Sequence, residues 1–313
     1  MFDRVRPTVL LSQSLQDFMH EIPGLRDGDE RAIHQSRVAI RRMREAAALA
    51  HADYDEDEFA AVERRLVQAF KALGRVRDAD TAHRLVQDLE LRFPMAGATL
   101  GQLRASVGRT RLGCRRRLIK KLESLEVETL ATQLDRARLT RHRLSLGRPS
   151  WQGMLRSHIV HRAQDLRHAM ERAGGVYFRR RSHDARIAIK QLRYALELGF
   201  DTKVQPRTTR LRPLRKTQDA LGQAHDREVL LERLRNLETE GMSVRRDEVL
   251  ALEQFVQGEI SALHEKYLAA RPQLLDVCAA CEAPRGQRPM HLGAVAAAVA
   301  IPVLWVRHNN RQP

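Results

Sequence analysis

Two stretches of the sequence, 149 residues apart, carry basic side chains at the same spacing. In each stretch these side chains occupy positions i, i+3, i+7 and i+10. They are His34, Arg37, Arg41 and Arg44 in the first basic row, and His183, Arg186, Lys190 and Arg193 in the second. The spacing predicts one stripe along an α-helix, about 15 Å long at about 1.5 Å per residue. Because Arg presents a planar fork of N–H donors that binds phosphate oxygens in pairs, such a stripe is suited to binding anions.

Apolar positions border both basic rows on either side. At about 100° per residue, Ile40 and Met43 lie roughly a quarter turn from the first row, and Val38 lies on its other flank. Ile189 and Ile187 take the matching places beside the second row. A face that only meets solvent is more often bordered by polar residues, so we expect both rows to face a cleft or the interior of a helical bundle.

The composition indicates a helical protein that attracts polyanions. Of 313 residues, 43% are hydrophobic and 4% are aromatic, which suits α-helices and argues against β-sandwiches and barrels. The formal net charge is +16 and the pI is about 10.8. An excess of this size favours nucleic acid, an acidic membrane surface or an inorganic phosphate polymer as the partner.

The cysteines and the remaining histidines give weaker signals. Cys278 and Cys281 have CxxC spacing, but a metal or redox site would need a second pair or a βαβ context, and we predict plain helix packing. His158, His161 and Asp165 lie at i, i+3 and i+7, and this spacing suggests a second hypothetical metal site. The many arginines nearby would repel a metal cation, which argues against it. We therefore predict no metal and no cofactor.

The absence of a disulfide framework and of a signal-peptide core at the start of the sequence favours the cytoplasm.

Apolar periodicity and Pro or Gly breaks predict eleven helices. Their approximate bounds are Thr8–His20, the Asp27–Asp29 cap to Ala50, Glu58–Leu73, Asp78–Phe93, Ala98–Leu125, Val127–Leu139, Trp151–Arg172, His183–Gly199, Pro206–Leu221, Asp226–Gly241 and Ser243–Ala270. Pro23-Gly24, Gly74 and Gly222 are predicted to end helices. Asp78 and Asp226 are predicted to cap the helices that follow the two latter glycines.

The second half of the chain repeats features of the first half in the same order. Gln16-Asp17 matches Gln164-Asp165 at an offset of 148 residues, and residues 73–78 match residues 221–226. Ordered matches over this span indicate an internal duplication. We therefore predict an all-α fold of two pseudo-twofold-related antiparallel helical bundles. The predicted boundaries are 1–140 for the first bundle, 141–149 for a linker, 150–272 for the second bundle and 273–313 for a C-terminal tail.

The predicted tail contains an apolar run, Leu292–Val306, which Pro302 interrupts. The run has 15 residues, fewer than the ~20 that a membrane-spanning helix needs. We predict a docked or interacting segment here, and no membrane span.

Three features together resemble the CHAD (conserved histidine α-helical domain) family. They are the stretch HxxRVAIRRMR, its partner HDARIAIKQLR, and the paired turns LGRVRDAD and LGQAHDRE. The resemblance covers roughly Val9 to Ala270, and it implies two pseudo-symmetric helical bundles, a basic central surface and the binding of inorganic polyphosphate. It marks both basic rows as polyphosphate-binding, together with Arg215, whose counterpart in the first half is Val67.

Local position and charge add five further candidates for polyphosphate binding. They are Lys71, Arg77, Arg115, Arg116 and Lys216. For His34 and His183 an alternative interpretation is a satisfied histidine at a seam between helices. Their matching positions at the head of two basic rows favour a place in a phosphate groove instead.

We predict a protein that binds inorganic polyphosphate through a basic groove, without catalysis, in the cytoplasm and on polyphosphate granules. The sequence contains no P-loop glycine pattern, no Ser/His/Asp constellation and no carboxylate cluster for Mg²⁺. Asp78 and Asp226 could be imagined as a pair of catalytic acids, but helix capping is the stronger interpretation. An enzymatic function is therefore not expected.

Nucleic-acid binding is the strongest alternative, because the net charge alone would fit it. The scarcity of aromatic residues for base stacking and the lack of a helix-turn-helix or RRM signature argue against it, so we expect weak nucleic-acid binding at most. A second alternative is a granule scaffold, or an accessory subunit of phosphate-polymer metabolism, that recruits partners through Leu292–Val306.

Overall fold

The computed structural model describes residues 7–50, 56–141, 150–202, 204, 210–239 and 244–283. Within these ranges the chain forms nine α-helices, a short 3-10 turn at Pro94–Ala96 and no strand, which confirms the predicted all-α class. The helices are α1 (Pro7–Asp27), α2 (Glu30–Ala50), α3 (Glu56–Arg92), α4 (Gly97–Glu123), α5 (Val127–Arg141), α6 (Trp151–Ala173), α7 (Arg179–Asp201), α8 (Leu211–Thr239) and α9 (Arg246–Glu282).

The two helices that carry the basic rows, α2 and α7, form as the sequence predicts. The Asp29 carboxylate caps α2, because its two oxygens accept hydrogen bonds from the backbone N–H groups of Arg31 at 3.0 Å and Ala32 at 3.2 Å. The apolar flank of each row is buried: Ile40 is 0% exposed on α2, and Ile189 is 0% exposed on α7. Each helix is therefore anchored by its apolar face, and its basic row points to another side.

The predicted helix stop at Pro23-Gly24 is wrong, because α1 continues through this pair and ends one residue before Gly28. Gly28 has a φ of +77°, the left-handed conformation that favours glycine. Its N–H donates to the carbonyl of Leu25 at 3.2 Å, and the N–H of Asp29 donates to the carbonyl of Gly24 at 2.9 Å. This pair of bonds is a Schellman motif, which satisfies the last carbonyls of the helix.

Gly24 has a different role, which is to allow α1 and α2 to approach each other closely. A Cβ atom at this position would lie 2.7 Å from the Cβ of Ala32 on α2. The buried side chain of Leu25 also holds this last part of α1 in the core. Packing therefore outweighs the hydrogen bond that Pro23 removes from the helix.

The predicted breaks at Gly74 and Gly222 are also wrong. α3 and α8 run through these glycines without interruption, over 37 and 29 residues. Asp78 and Asp226 therefore lie inside helices and do not cap them. A glycine inside a helix costs only about 1 kcal/mol, and buried side chains on both sides of Gly74 offset that cost. They are Leu73, Val76 and Ala79, each at most 2% exposed.

The last helix is longer than the sequence pattern predicts. α9 continues past the predicted end at Ala270, and Pro272 lies inside it. Leu274, Val277 and Cys278 are buried beyond that proline, so core contacts hold the additional turns. The predicted helix start at Pro206, residues 142–149 of the predicted linker and the apolar run at 292–306 lie outside the described residues.

Three large apolar clusters hold the helices together. The first packs α1, α2, α3 and α5 with the second half of α4, and the second packs α6, α7 and the second half of α9 with the start of α8. The third cluster joins the end of α3 and the start of α4 to the end of α8 and the start of α9. It includes Leu89, Leu100, Leu234 and Leu252. Residues from both parts of the chain thus share this third cluster.

Within the described part of the chain, no helix combines the length and the apolar character that crossing a membrane would require.

Two glycines of different conformation give a matched test of the fold. Gly28→Ala is expected to lower the free energy of unfolding by about 1–2 kcal/mol, because an alanine is strained in the left-handed region. Gly108→Ala in α4 is expected to raise it by about 0.5–1 kcal/mol, because alanine is the better helix former. The space around the Gly108 position is open. Urea unfolding followed by circular dichroism measures both values, and equal effects at the two sites would contradict the assignment of Gly28 as the stop of α1.

Candidate functional site

An open cleft with a volume of about 1630 Å³ lies between four helices. Its walls come from residues 30–45 of α2, 70–84 of α3, 186–201 of α7 and 211–226 of α8, and we call it the α2–α7 cleft. Eleven Arg or Lys residues and seven Asp or Glu residues line it. Because the cations outnumber the carboxylates in a concave site, the local field favours anions.

The structure places nine of the fourteen predicted site residues around this cleft. They are His34, Arg37, Arg41, Arg77, Arg186, Lys190, Arg193, Arg215 and Lys216. Members of the first basic row line the cleft from α2, and members of the second row line it from α7. Arg41 of α2 reaches Tyr194 of α7, with 3.4 Å between its Nη1 atom and the phenol oxygen. The two rows thus share one space.

Three of the five remaining candidates lie on other surfaces. Lys71 and Arg116 are exposed on α3 and α4, outside the lining of the cleft. Arg115 of α4 donates a hydrogen bond of 3.5 Å to the buried carboxylate of Asp80. These three were predicted from charge and local position alone, and neither property indicates which side of a helix a cleft will occupy.

One end of each basic row also lies outside the cleft lining. Arg44, at the end of the first row, lies with its guanidinium carbon 5.1 Å from the centre of the Phe70 ring. His183, at the start of the second row, lies beside His225, with 5.3 Å between the ring centroids. Positions i to i+10 diverge by up to about 80° around a helix, so one cleft does not accommodate the full row. His34 is exposed and lines the cleft, so the two matched histidines have different surroundings.

Burial and nearby cations keep the histidine pair behind the cleft neutral. Burial lowers the pKa of His183, and the adjacent Arg186 adds to this effect. Burial, followed by the charge of Arg186, lowers the pKa of His225 to about 3. His225 lies 3.3 Å from a carboxylate oxygen of Glu228, which is itself buried and has a pKa raised to about 7 by that burial.

Carboxylates neutralise part of the positive charge of the cleft. Arg77 of α3 donates two hydrogen bonds to Asp226 of α8, at 2.9 and 3.1 Å, and one to Asp78 at 3.2 Å. Burial by itself would lower the pKa of Arg77, but the two carboxylates outweigh it, so that the pKa is raised. This bidentate contact links α3 to α8, so Arg77 holds two walls of the cleft together. The carboxylates also compensate part of its charge.

Glu197 of α7 neutralises two more cations. One of its oxygens accepts a hydrogen bond from Arg193 at 2.9 Å and another from Arg215 at 3.1 Å. Arg193 also donates to the side chain of Gln218 at 2.9 Å. Arg193 and Arg215 are therefore held by groups of the protein itself.

Three other cations of the cleft, in contrast, form no ion pair with a carboxylate of the described residues. In the described part of the chain, no carboxylate forms an ion pair with Arg37, Arg186 or Lys190. The Nη1 atom of Arg37 and the Nε atom of Arg186 are buried and have no hydrogen-bond partner among the described residues. Such buried donors are costly unless a ligand supplies acceptors.

The pKa of Lys190 shows most clearly that a positive charge is disfavoured here. Burial, followed by the charges of Arg186 and Arg37, lowers the pKa of Lys190 to about 7. Burial also lowers the pKa values of Arg37 and Arg186 themselves. A bound anion would reverse these shifts, because it favours the charged form of every group around it.

Two aromatic rings support arginines of the rows, and sequence reasoning missed both of them. Arg41 and Arg193 lie over the ring of Tyr194, with 4.3 and 4.6 Å from each guanidinium carbon to the ring centre. Arg37 lies over Phe70 at 5.6 Å. Tyr194 follows the second row directly, which is a signal that could have identified it. Phe70 lies on α3 and carries no such signal. Three further basic residues of the lining, Arg42, Arg84 and Arg212, were also missed.

The residues considered for metal binding lie elsewhere. Among the described residues no three His, Cys, Asp or Glu side chains are grouped so as to hold a metal ion. His158 is buried and lies 3.4 Å from a carboxylate oxygen of Glu45. Cys278 is buried in the second apolar cluster, and this burial raises the pKa of its thiol to about 12.

Comparison with known proteins gives one family and a set of similar folds. The family described as "CHAD domain" matches residues 10–235. The chain is similar to the crystal structure of the CHAD domain from the plant Ricinus communis, with 24% identity, a TM-score of 0.61, and 90% of this chain and 92% of that chain covered. It is also similar to PptA from Streptomyces chartreusis, with 13% identity, a TM-score of 0.58 and coverage of 87% and 97%. At these identities the two structures show a shared fold. No curated protein matches the sequence.

The variant Lys190→Met tests whether the charge of Lys190 destabilises the folded protein. Since the pKa of Lys190 is about 7 in the folded protein and 10.5 for an ordinary lysine, the unfolded chain binds more protons between these values, and stability rises with pH across that window. Removing the charge is expected to raise the free energy of unfolding at pH 7 by about 1 kcal/mol or more. The gain should be smaller at pH 9.

Urea unfolding at the two pH values measures this difference. Lys216→Met is the matched control, because Lys216 lines the same cleft but is exposed. A Lys190→Met variant that is less stable than the wild type at pH 7, or that shows no change in its advantage between pH 7 and 9, would contradict the electrostatic description.

Proposed function

Because this chain belongs to the CHAD domain family, we propose that it binds inorganic polyphosphate in the α2–α7 cleft. The observation that carries the proposal is the half-buried group of Arg37, Arg186 and Lys190, which has no carboxylate ion-pair partner in the described chain. A protein gains nothing in stability by gathering such cations, since each loses hydration and repels the others. An anionic ligand with many oxygens satisfies the donors and offsets the repulsion.

Polyphosphate fits the chemistry of the two opposing rows. It is a flexible chain with a negative charge on every internal phosphate, and its oxygens accept the paired N–H donors of arginine. The rows approach the cleft from two helices, so neighbouring phosphates of one polymer can contact both walls. Each contact would release counterions, by analogy with nucleic acids, so the affinity should fall with rising salt.

Two of the three aromatic residues that line the cleft favour polyphosphate over nucleic acid. Proteins that bind single-stranded nucleic acids use open aromatic faces on which bases stack. Here guanidinium groups lie over Phe70 and Tyr194, at 4.3–5.6 Å from the ring centres. These rings support arginines, and a ligand made only of phosphate does not require them for stacking.

The proposed role is binding without catalysis. Of the seven carboxylates that line the cleft, Asp226 is engaged by Arg77, and Glu197 by Arg193 and Arg215. The oxygens of these two carboxylates already accept hydrogen bonds from guanidinium groups, so they are not free to take a proton from a ligand. In the cell, capture of the polymer would hold the protein on cytoplasmic polyphosphate granules.

Competition between polymers tests the ligand. At near-physiological salt, unlabelled long polyphosphate is expected to displace labelled polyphosphate at a phosphate concentration at least ~10-fold below that needed for DNA or RNA, because the uncompensated donors match a dense row of phosphates. Fluorescence anisotropy measures the displacement, and gel analysis of the recovered polymer should show unchanged chain length. Equal displacement by nucleic acid would favour the rival function, and shortened polymer would contradict the non-catalytic role.

A charge-reversal pair tests the site. Arg37→Glu combined with Arg186→Glu should weaken polyphosphate binding by at least ~100-fold, since two charge-assisted hydrogen-bonding groups of about 1.5–3 kcal/mol each are lost. Arg109→Glu combined with Arg116→Glu is the matched control, because it removes the same charge from exposed positions of α4 outside the cleft lining. The control should bind within about 3-fold of the wild type.

Thermal unfolding with and without polymer provides a second readout of the same variants. Saturating polyphosphate should raise the melting temperature of the wild type and of the control, because it binds only the folded state. In cells, a fluorescent fusion of the cleft variant should leave the granules while the control fusion stays. Equal losses of binding in the two variants would place the binding outside this cleft.

A further inference from the structure

We propose that Tyr194 and Phe70 are positioning residues, whose rings hold Arg41 and Arg37 in place while most of the guanidinium N–H donors remain for phosphate. This inference rests on the proposed function and adds to it how the site prepares its donors. Neither ring belongs to the basic rows, and neither offers a charge to the ligand.

Tyr194 connects the two walls of the cleft. It lies on α7, next to Arg193 of the second row, yet its ring and hydroxyl contact Arg41 of the first row on α2. The guanidinium carbon of Arg41 lies 4.3 Å from the ring centre, and its Nη1 atom donates to the hydroxyl at 3.4 Å. Arg193 lies 4.6 Å from the same ring but is also held by Glu197 and Gln218. The influence of Tyr194 therefore falls mainly on Arg41.

Phe70 does the same for the first row from α3. The guanidinium carbons of Arg37 and Arg44 lie 5.6 and 5.1 Å from its ring centre, within the range of a cation–π contact. Phe70 lines the cleft together with Arg37. One ring thus contacts two arginines that are two helical turns apart on α2.

An arginine held by an aromatic ring keeps more of its binding capacity than an arginine held by a carboxylate. Asp226 holds Arg77 firmly, but it occupies two N–H groups and cancels the charge. A ring contacts the flat face of a guanidinium, whereas the N–H donors lie in the plane of that group. The arginine therefore loses conformational freedom before the ligand arrives, and its charge and most of its donors remain for phosphate.

The cleft thus contains two kinds of arginine. Arg77, Arg193 and Arg215 are held by carboxylates, and they shape the walls. Arg37 and Arg41 are held by rings, and they are the ones prepared to meet the ligand. The sequence distinguishes neither kind, because both occur in or beside the same motifs.

Tyr194→Leu tests the inference by its effect on affinity and on salt dependence. Loss of the ring should weaken polyphosphate binding by about 5–20-fold, the range of a partly desolvated cation–π contact. The slope of log affinity against log salt should stay unchanged, because no cation has been removed. Arg41→Ala should weaken binding and also lower this slope by about one. Tyr194→Phe keeps the ring and should retain most of the affinity.

A double-mutant cycle separates positioning from general structural damage. In an Arg41→Ala background, most of the effect of Tyr194→Leu should vanish, because the residue that it positions is absent. Phe70→Leu with Arg37→Ala forms a second cycle with the same expectation, and it decides the matter if Tyr194→Leu fails to fold. Undiminished effects of the ring variants in the Ala backgrounds, or a changed salt slope, would overturn the positioning role. Absence of polyphosphate binding by the wild type would overturn the proposed function itself.

Discussion

The structure depends on holding like charges together where, among the described residues, no carboxylate forms an ion pair with them. Arg37, Arg186 and Lys190 line the cleft from α2 and α7, and burial, together with the charges of Arg186 and Arg37, lowers the pKa of Lys190. The helices can hold these charges together because their opposite faces are fixed by apolar packing, α2 in the first cluster and α7 in the second. The cations therefore cannot move apart without removing buried side chains such as Ile40 and Ile189 from their cores.

Local sequence patterns predicted much of the fold. The wrong predictions of helix ends at Gly74 and Gly222 share one cause. Apolar periodicity identified the helices that carry the rows, and the Asp29 cap formed as predicted. Gly74 and Gly222, each followed four residues later by an aspartate, have the local signature of a stop and a new cap. Long-range contacts override that signature, since the buried stripe continues through α3 and Asp226 receives the guanidinium of Arg77 from another helix. No local pattern contains that partner.

The site was predictable to a similar degree and for the same reason. Spacing and flanking residues indicated that both rows face a shared interior, and six of their eight members line the cleft. The sequence could not distinguish His34 from His183, because both begin the same motif. What separates them is a neighbour on α8, because the ring of His225, which itself lies 3.3 Å from Glu228, is beside His183. The two aromatic supports were missed because ring and guanidinium meet only in the folded chain.

The third apolar cluster has a mechanical consequence for the cleft. α3 and α8, which form two of its walls, continue beyond it and are joined at their far ends by this cluster, with α4 and α9 packed alongside. This packing restricts the movement of α3 and α8 relative to each other. If polyphosphate binds here as proposed, the polymer would adapt its shape to the protein, and the entropy lost on binding would come chiefly from the phosphate chain.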